Sequence, residues 1–512
     1  MVQDYISGRN MRALEANAEY FGISLLQLME NAGRGVAEEV SSRFKKDQQI
    51  VIFCGLGGNG GDGFVAARHL LSLGFGKIMV VLAGKSRDID HEAAKANWLA
   101  LQNLSEVILI IESSDVSELQ KLNADVAVDA LLGTGTEGKL KVQMAQFVEY
   151  INSLKAAKVA VDVPTGIDAD TGEVLGSAVK ADVTVTFHRP KKGLKTARAY
   201  VGKIVVRDIG LPQELELLAG PGDVMLVTKM RPTSAHKGDS GRVLFIGGSE
   251  VFSGSPFLMS MAALRTGVDL AYTATPEKTA HDVASMSANL ILVKLEGNHL
   301  NPQNAIALKD YLKIVDAVAV GPGAGLHAET REFVKLFVTA VEDASKPLVL
   351  DADGLKAFAE FKRPLKVPFV LTPHAGEYSI LTGRKLPTDL DSRVKMVKQT
   401  ASELKAIILL KGKVDIVSDG NRVKLNYTGN AGMTVGGTGD VLTGVAAALL
   451  AQKVDPFEAA VAAAYVSGAA GDFVASKIGF HMVATDLFEY IPQVMNDPMS
   501  HVKVRRLSGK TH

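Results

Sequence analysis

The sixteen residues Gly429-Asn430-Ala431-Gly432-Met433-Thr434-Val435-Gly436-Gly437-Thr438-Gly439-Asp440-Val441-Leu442-Thr443-Gly444 hold six glycines and one acid, and an Ala/Val/Leu pattern of helical spacing follows at once. This reads as a loop of backbone N–H groups running into a helix N-terminus. Such a loop binds anions, because the orphan N–H groups and the helix dipole both favour negative charge. Glycine supplies positive φ angles and close backbone approach. Asp440 then stands at the helix start, beside the bound phosphates. A carboxylate placed there can take a proton from a substrate hydroxyl. The bland alternative is a Gly-rich turn with Asp440 as a helix cap.

The totals narrow the field. A chain of 512 residues should hold more than one domain. It is 47% hydrophobic and 22% charged, as soluble globular proteins are. Basic and acidic residues number 56 each, so nothing in the net charge suggests a nucleic-acid or membrane surface. The one cysteine, Cys54, excludes an intramolecular disulfide and favours a reducing compartment. Its place in Ile50-Val51-Ile52-Phe53-Cys54 favours a buried strand position over a nucleophile. No signal-peptide pattern opens the chain, and no apolar stretch reads as long enough to span a bilayer. The expectation is a cytoplasmic protein.

In the first half, Leu14 to Val40 reads as one or two amphipathic helices. A strand over 49–54 follows, then a loop, Gly55-Leu56-Gly57-Gly58-Asn59-Gly60-Gly61-Asp62-Gly63, and a helix over 64–73. Short Val/Ile-rich runs at 78–82, 107–111, 126–131, 159–163, 183–187 and 204–209 alternate with helical stretches. That alternation predicts a mostly parallel sheet covered on both faces. The first loop matches GxGxxG, but the second strand ends Val80-Val81-Leu82-Ala83-Gly84-Lys85, without the ribose-binding acid of a hydride-transfer domain. Asp129 before Gly133-Thr134-Gly135-Thr136-Glu137-Gly138-Lys139, and Asp162 in Asp162-Val163-Pro164-Thr165-Gly166, follow strands on the same expected edge. Asn59, Asp62, Asp129 and Asp162 could therefore converge there. Oxygen donors of this kind suit a hard cation, and no His/Cys cluster in this half suggests zinc.

Gly57-Gly58-Asn59-Gly60-Gly61-Asp62-Gly63-Phe64-Val65-Ala66-Ala67-Arg68-His69-Leu70, Asp162-Val163-Pro164-Thr165-Gly166 and Asp208-Ile209-Gly210-Leu211-Pro212 resemble the NAD(P)H-hydrate epimerase family. Gly58 stands where that family usually has the first of two asparagines. The resemblance implies a Rossmann-like three-layer αβα domain that interconverts the R and S epimers of hydrated nicotinamide cofactors. It also implies K⁺ held near Asn59, Asp129 and Thr165. Substrate phosphates and ribose would lie on Gly58, Asn59, Gly60, Gly61 and Asp62 and on Gly133, Thr134, Gly135, Thr136, Glu137, Gly138 and Lys139. Asp162 would be the acid/base.

Prolines at 212, 221 and 232 with polar stretches between them mark a connection, and the boundary is expected near residue 220. The expected domains are 1–220 and 221–512. In the second half, strand-like runs at 243–246, 270–273, 317–320, 348–350, 369–371, 406–410 and 415–418 each end in a polar or Gly-rich loop. No GxxxxGK[ST] occurs, so a nucleotide would use Lys411, Gly412, Lys413, Val414 and Asp415 together with the Gly-rich loop. His374 is either a satisfied loop histidine or a substrate contact.

His236-Lys237-Gly238, Gly321-Pro322-Gly323-Ala324-Gly325, Leu350-Asp351-Ala352-Asp353-Gly354-Leu355, Leu371-Thr372-Pro373-His374-Ala375-Gly376-Glu377, Leu410-Lys411-Gly412 and the 429–444 stretch resemble the ADP/ATP-dependent NAD(P)H-hydrate dehydratase family, a branch of the ribokinase-like α/β fold. The resemblance implies dehydration of the S epimer of NADHX or NADPHX with ADP as co-substrate and Mg²⁺ shielding the diphosphate. It implies substrate contacts at Gly325, His374 and Asp440, and nucleotide contacts at Asn430, Ala431, Gly432, Met433, Thr434, Gly436, Gly437, Thr438 and Gly439. Asp440 would be the catalytic base. It further implies a homo-oligomer, a tetramer or larger, with no nucleic-acid or membrane partner. The alternative is a ribokinase-like vitamin-alcohol kinase with an N-terminal ligand-binding domain. A third reading, a non-catalytic binding protein, fits poorly with intact Asp162 and Asp440.

Overall fold

The computed structural model describes residues 5–119, 122–136, 138–229 and 231–507. The chain divides into two compact units, Met1–Leu215 and Glu216–His512.

The first unit is built on seven strands: β1 (Ile50–Cys54), β2 (Ile78–Ala83), β3 (Leu109–Ser113), β4 (Val126–Ala130), β5 (Ala157–Val161), β6 (Val183–Phe187) and β7 (Lys203–Arg207). They pair in the order β3-β2-β1-β4-β5-β6-β7, and every pairing is parallel. β1, β4 and β6 are buried throughout, which is why apolar residues dominate them, with Asp129, Thr184 and Thr186 as the polar exceptions. The order reverses between β1 and β4, so the loops after these two strands flank the crevice at the carboxyl end of the sheet.

The region over 14–40 is two helices, α1 (Gly8–Tyr20) and α2 (Leu25–Arg43), separated by a turn in which Gly22 has φ +99°. Ser24 caps α2 reciprocally with Gln27. The Gly-rich loop after β1 is shorter than its sequence suggests. α3 runs over Gly58–Ser72, so Gly58 to Gly63 form its first turns rather than a loop. The glycines serve packing there: a Cβ on Gly60 would lie 1.9 Å from the Gly55 carbonyl oxygen, and one on Gly63 2.6 Å from Cys54 Sγ.

The second unit carries β8 (Arg242–Ile246), β9 (Leu270–Pro276), β10 (Ile291–Leu295), β11 (Ala317–Val320), β12 (Leu348–Leu350), β13 (Phe369–Leu371), β14 (Ile407–Leu410), β15 (Asp415–Ser418) and β16 (Val423–Asn426). Their order follows their numbers except that β10-β9-β8 precede β11, which again puts a switch point between β8 and β11. Pairing is parallel up to β14 and antiparallel for β15 and β16. β10 and β16 are strands that the hydrophobic runs do not announce.

Three helices matter for the site: α4 (Gly254–Thr266), α5 (Thr438–Ala451) and α6 (Pro456–Ile478). α6 corrects the expectation that no stretch could span a bilayer. It has 23 residues, and an 18-residue window within it reaches a mean hydropathy of 1.3, enough by length and composition. Glu458, Asp472 and Lys477 interrupt its apolar run, which is why the run looks short in sequence. Of its most apolar window 89% is buried inside the unit, the position of a core helix apolar on all sides.

Candidate functional site

Each unit gathers acids at its own switch point. In the first, Asp129 is the penultimate residue of β4 and is fully buried. Its Oδ2 accepts from Thr165 N–H at 2.8 Å, and its Oδ1 lies 2.6 Å from Thr165 Oγ1. Burial raises its carboxyl to about 6 against these hydrogen bonds. Asn59 stands in the first turn of α3, and a Cβ on Gly133 would lie 3.1 Å from Asn59 Oδ1. Asn59 Nδ2 is buried without a hydrogen-bond partner. Asn59 and the 133–136 loop thus meet, and Asp129 and Thr165 meet.

Asp162 follows β5 with φ +63°, and Val163 N–H closes a three-residue turn onto the Val161 carbonyl at 2.8 Å. The turn lifts the carboxylate out of the strand. Its Oδ1 accepts from Thr186 Oγ1 at 3.0 Å and from the ammonium of Lys191. Two further acids face this centre. Asp62, in α3, has its carboxyl pushed well above the usual range by burial, then by Asp162 and Glu15. Glu15, in α1, is raised to about 7, by burial first; Asp162 adds to the rise, while Lys191 and Arg12 oppose it. Arg12 also donates to the Thr134 carbonyl at 2.6 Å, which ties α1 to the loop expected to hold substrate. In that loop Gly133, Thr134, Gly135, Thr136, Gly138 and Lys139 surround an open edge, with Gly135, Gly138 and Lys139 exposed. Glu137 lies outside the described residues.

In the second unit Gly437 has φ +95° and caps α5, so Asp440 is the third residue of the helix. Burial raises its carboxyl to about 6; a hydrogen bond from Ser255 of α4 opposes the rise, Asp351 and Asp353 add to it, and Lys411 opposes it. Lys411, after β14, bonds Asp351 Oδ1 at 2.8 Å and lies 4.0 Å from Glu377 Oε2. Burial works against the Lys411 charge, but Asp351 and then Glu377 outweigh it and hold the ammonium above its usual range. Thr443, one turn beyond Asp440, donates to Asp351 Oδ2 at 2.8 Å. A Cβ on Gly439 would lie 3.3 Å from Lys411 Nζ, so the two elements approach closely there. Ala352 between the two acids has φ +48°, a strained position for a residue with a Cβ.

The other expected residues divide into exposed backbone and structural clasps. His374 is the N-cap of the helix Ala375–Thr382: Nδ1 accepts from Gly376 N–H at 3.0 Å and from Glu377 N–H at 3.3 Å. Its side chain is still 59% exposed, so the cap leaves it reachable. Gly325 N–H donates to Asp353 at 2.9 Å, which joins the loop after β11 to the acids. Asp415 accepts from Gly412 N–H and from Asn426 Nδ2, both at 2.9 Å, and its carboxyl is raised to about 6 by burial. It therefore ties the turn, while Gly412 and Lys413 are exposed. Asn430 clasps α6 through the Gly471 carbonyl at 2.9 Å and Asp472 at 3.0 Å, and accepts from Gly432 N–H at 3.0 Å. Ala431, Thr434 and Gly436 are exposed along the same loop.

Sequence reasoning assigned no role to Glu15, Lys191, Asp351, Asp353, Glu377, Thr443 or Ser255. Asp351, Asp353 and Glu377 were visible as strand-end acids. Lys191, inside Arg189-Pro190-Lys191-Lys192, reads as part of an exposed basic run. His299, His327 and Glu329 also bring three donor atoms within 4.8 Å of one another, though no spacing announces it. Those side chains have partners: His299 pairs with Glu329 at 2.8 Å, and His327 Nδ1 accepts Glu329 N–H at 3.3 Å.

Two family models match the chain, one per unit: YjeF-related protein N-terminus over residues 25–193, and NAD(P)H-hydrate dehydratase over residues 243–493. The bifunctional NAD(P)H-hydrate repair enzyme Nnr of Pyrobaculum aerophilum is 45% identical, over 96% of this chain and 98% of that protein. The chain belongs to the bifunctional NAD(P)H-hydrate repair enzyme family. The Archaeoglobus fulgidus member is 44% identical over the same shares of both chains. The crystal structure of ADP/ATP-dependent NAD(P)H-hydrate dehydratase from Bacillus subtilis, co-crystallised with ATP/Mg²⁺, covers 54% of this chain and 95% of that one at 27% identity, with a TM-score of 0.47. The repair-enzyme family thus accounts for both units: a Rossmann-like αβα unit followed by a ribokinase-like α/β unit.

Proposed function

We propose that the chain repairs hydrated NADH and NADPH, with residues 1–220 interconverting the R and S epimers and residues 221–512 dehydrating the S epimer with ADP. The observation that carries this reading is that each family-matched unit has its own acid-lined crevice at a switch point, centred on Asp162 and Asp440. The kinase alternative loses support because relatives spanning nearly the whole chain are named as repair enzymes.

Hydroxide is a poor leaving group and phosphate a good one. Asp440 takes the proton of the ring hydroxyl as its oxygen attacks the terminal phosphorus of ADP. The P–O bond to AMP breaks. The phosphorylated hydroxyl then leaves as inorganic phosphate, taking the C–O bond pair, while a ring proton is lost and the double bond returns. The N–H groups of 436–439 stabilise the transferring charge. ADP lies along Lys411–Asp415 and 430–439. Mg²⁺ suits the hard carboxylate oxygens of Asp351 and Asp353 and would shield the diphosphate. In the first unit Asp162 moves the proton of the ring hydroxyl during epimerisation. K⁺ suits the all-oxygen set of Asn59 Oδ1, Asp129 and Thr165; the buried carboxyl of Asp129 is the group whose charge a cation there would offset. The family resemblance also supports a homo-oligomer of four or more chains.

The test is one assay on an epimer mixture of NADHX with Mg²⁺, K⁺ and ADP or ATP. Complete recovery of nicotinamide absorbance, dependent on nucleotide and releasing phosphate, is the expected result once slow spontaneous epimerisation is subtracted. No recovery with either nucleotide overturns the reading.

A further inference from the structure

Lys191 is one of the largest fully buried side chains of the chain, with 1% exposure. A buried ammonium is costly unless its protons are all taken. Here they are: Asp162 Oδ1 accepts one, the Phe187 carbonyl accepts at 3.1 Å and Thr186 Oγ1 at 3.3 Å. No proton remains to offer a substrate. The two side-chain hydrogen bonds to Asp162 both fall on Oδ1, and 12% of its side chain is exposed, so the carboxylate is held at one oxygen and reachable from the pocket.

The backbone around this contact is pinned on both sides. Ile6 N–H donates to the Pro190 carbonyl, and Lys192 N–H to the Ile6 carbonyl, both at 3.0 Å. Lys191 is thus locked to the segment that leads into α1, the helix that carries Arg12 and Glu15. Asp162 has a left-handed backbone that an acid adopts only at a cost, and Thr186 alone holds its side chain less firmly. Packing gives no reason for an ammonium in this place. A methionine fills similar volume but leaves the Asp162 carboxylate without its charge partner, because removing one side of a buried ion pair uncovers the cost of the other.

We propose that Lys191 is the positioning residue of the epimerase centre, gripping Asp162 Oδ1 so that Oδ2 is presented to the substrate hydroxyl. This rests on the epimerase reading of the first unit. With the grip lost, Asp162 rotates among conformers, and the aligned fraction falls while substrate binding through the 58–62 and 133–139 loops persists.

The test measures epimerisation of R-NADHX by the full chain, with dehydratase activity on S-NADHX as an internal control. Lys191→Met should lower kcat for epimerisation on the order of 10²-fold with KM within about threefold, as expected for a lost acid/base alignment. Dehydratase activity should not change. Lys191→Ala leaves a slot the size of propylammonium; that cation should restore kcat, and 1-propanol, of similar size but neutral, should not. This second variant also guards against misfolding of the first. Equal rescue by both additives, or an unimpaired Lys191→Met enzyme, overturns the role of Lys191 while leaving the epimerase reading intact. A wild-type chain that does not epimerise at all overturns both.

Discussion

Asp440 and Glu15 show how burial sets working and stability profiles at single residues. Asp440 must give up its proton before it can take one from substrate, and its carboxyl is raised to about 6, by burial above all. Dehydratase kcat/KM on S-NADHX should therefore fall about tenfold per pH unit below pH 6 and level off above it. Asp440→Asn should abolish that activity at every pH and leave epimerisation intact; retained dehydration would remove Asp440 from the role of base. Glu15 belongs to the stability side. Its folded carboxyl is raised from 4.5 to about 7, so the folded state keeps a proton that the unfolded chain has already released. Stability then declines as pH rises from 4.5 to 7, by roughly 3 kcal/mol at most, and stays low above that range. Glu15→Gln removes this dependence. The variant's first-unit melting temperature should exceed wild type at pH 8 and match it near pH 4; equal values at pH 8 would show that Glu15 is not strained there.

At the scale of elements, the crossing of α4 and α5 governs the dehydratase centre. α5 carries Asp440 and α4 carries Ser255, which bonds it. Gly444 sits at the crossing, where a Cβ would lie 2.2 Å from the Met259 carbonyl oxygen. Gly444→Ala must push the helices apart. It should cost about 1–3 kcal/mol of stability and lower dehydratase kcat, without altering the epimerase; an unchanged kcat would uncouple the crossing from the site. The close crossing is invisible in sequence, where Gly444 looks like part of an anion loop. The elements themselves were largely legible, because strands buried on both faces must be Val/Ile runs and the Gly-rich loops punctuate them. β10 escaped because its side chains alternate between buried and exposed at the edge of the sheet, and β16 because it is four residues long with Lys424 within it. The start of α3 was misplaced because five glycines over 57–63 speak for a loop, whereas here they let the helix settle against β1 and α2.

For the whole molecule, two centres on one chain predict separable defects. Asp162→Asn should leave the rapid recovery of the S fraction of an NADHX mixture intact and stop recovery of the remainder, apart from spontaneous epimerisation. Mixing that variant with Asp440→Asn should restore complete recovery, since the epimer diffuses between chains. A mixture no better than Asp162→Asn alone would mean that substrate passes within one chain only. Site positions were legible where an acid stands near a strand end or at a helix start, as with Asp129, Asp162 and Asp440. They were illegible where the third dimension supplies the partner. Lys191 lies 29 residues from Asp162, and Glu15 enters on a helix whose sequence pattern marks it only as amphipathic.

The left-handed backbone at Asp162 has an evolutionary consequence. Glycine or asparagine would occupy that position at lower cost, by about 1 kcal/mol for glycine. In a lineage that no longer made the damaged cofactor, neutral drift would erode position 162 early, ahead of the surrounding core, and the sheet would survive as a sound scaffold without its reaction.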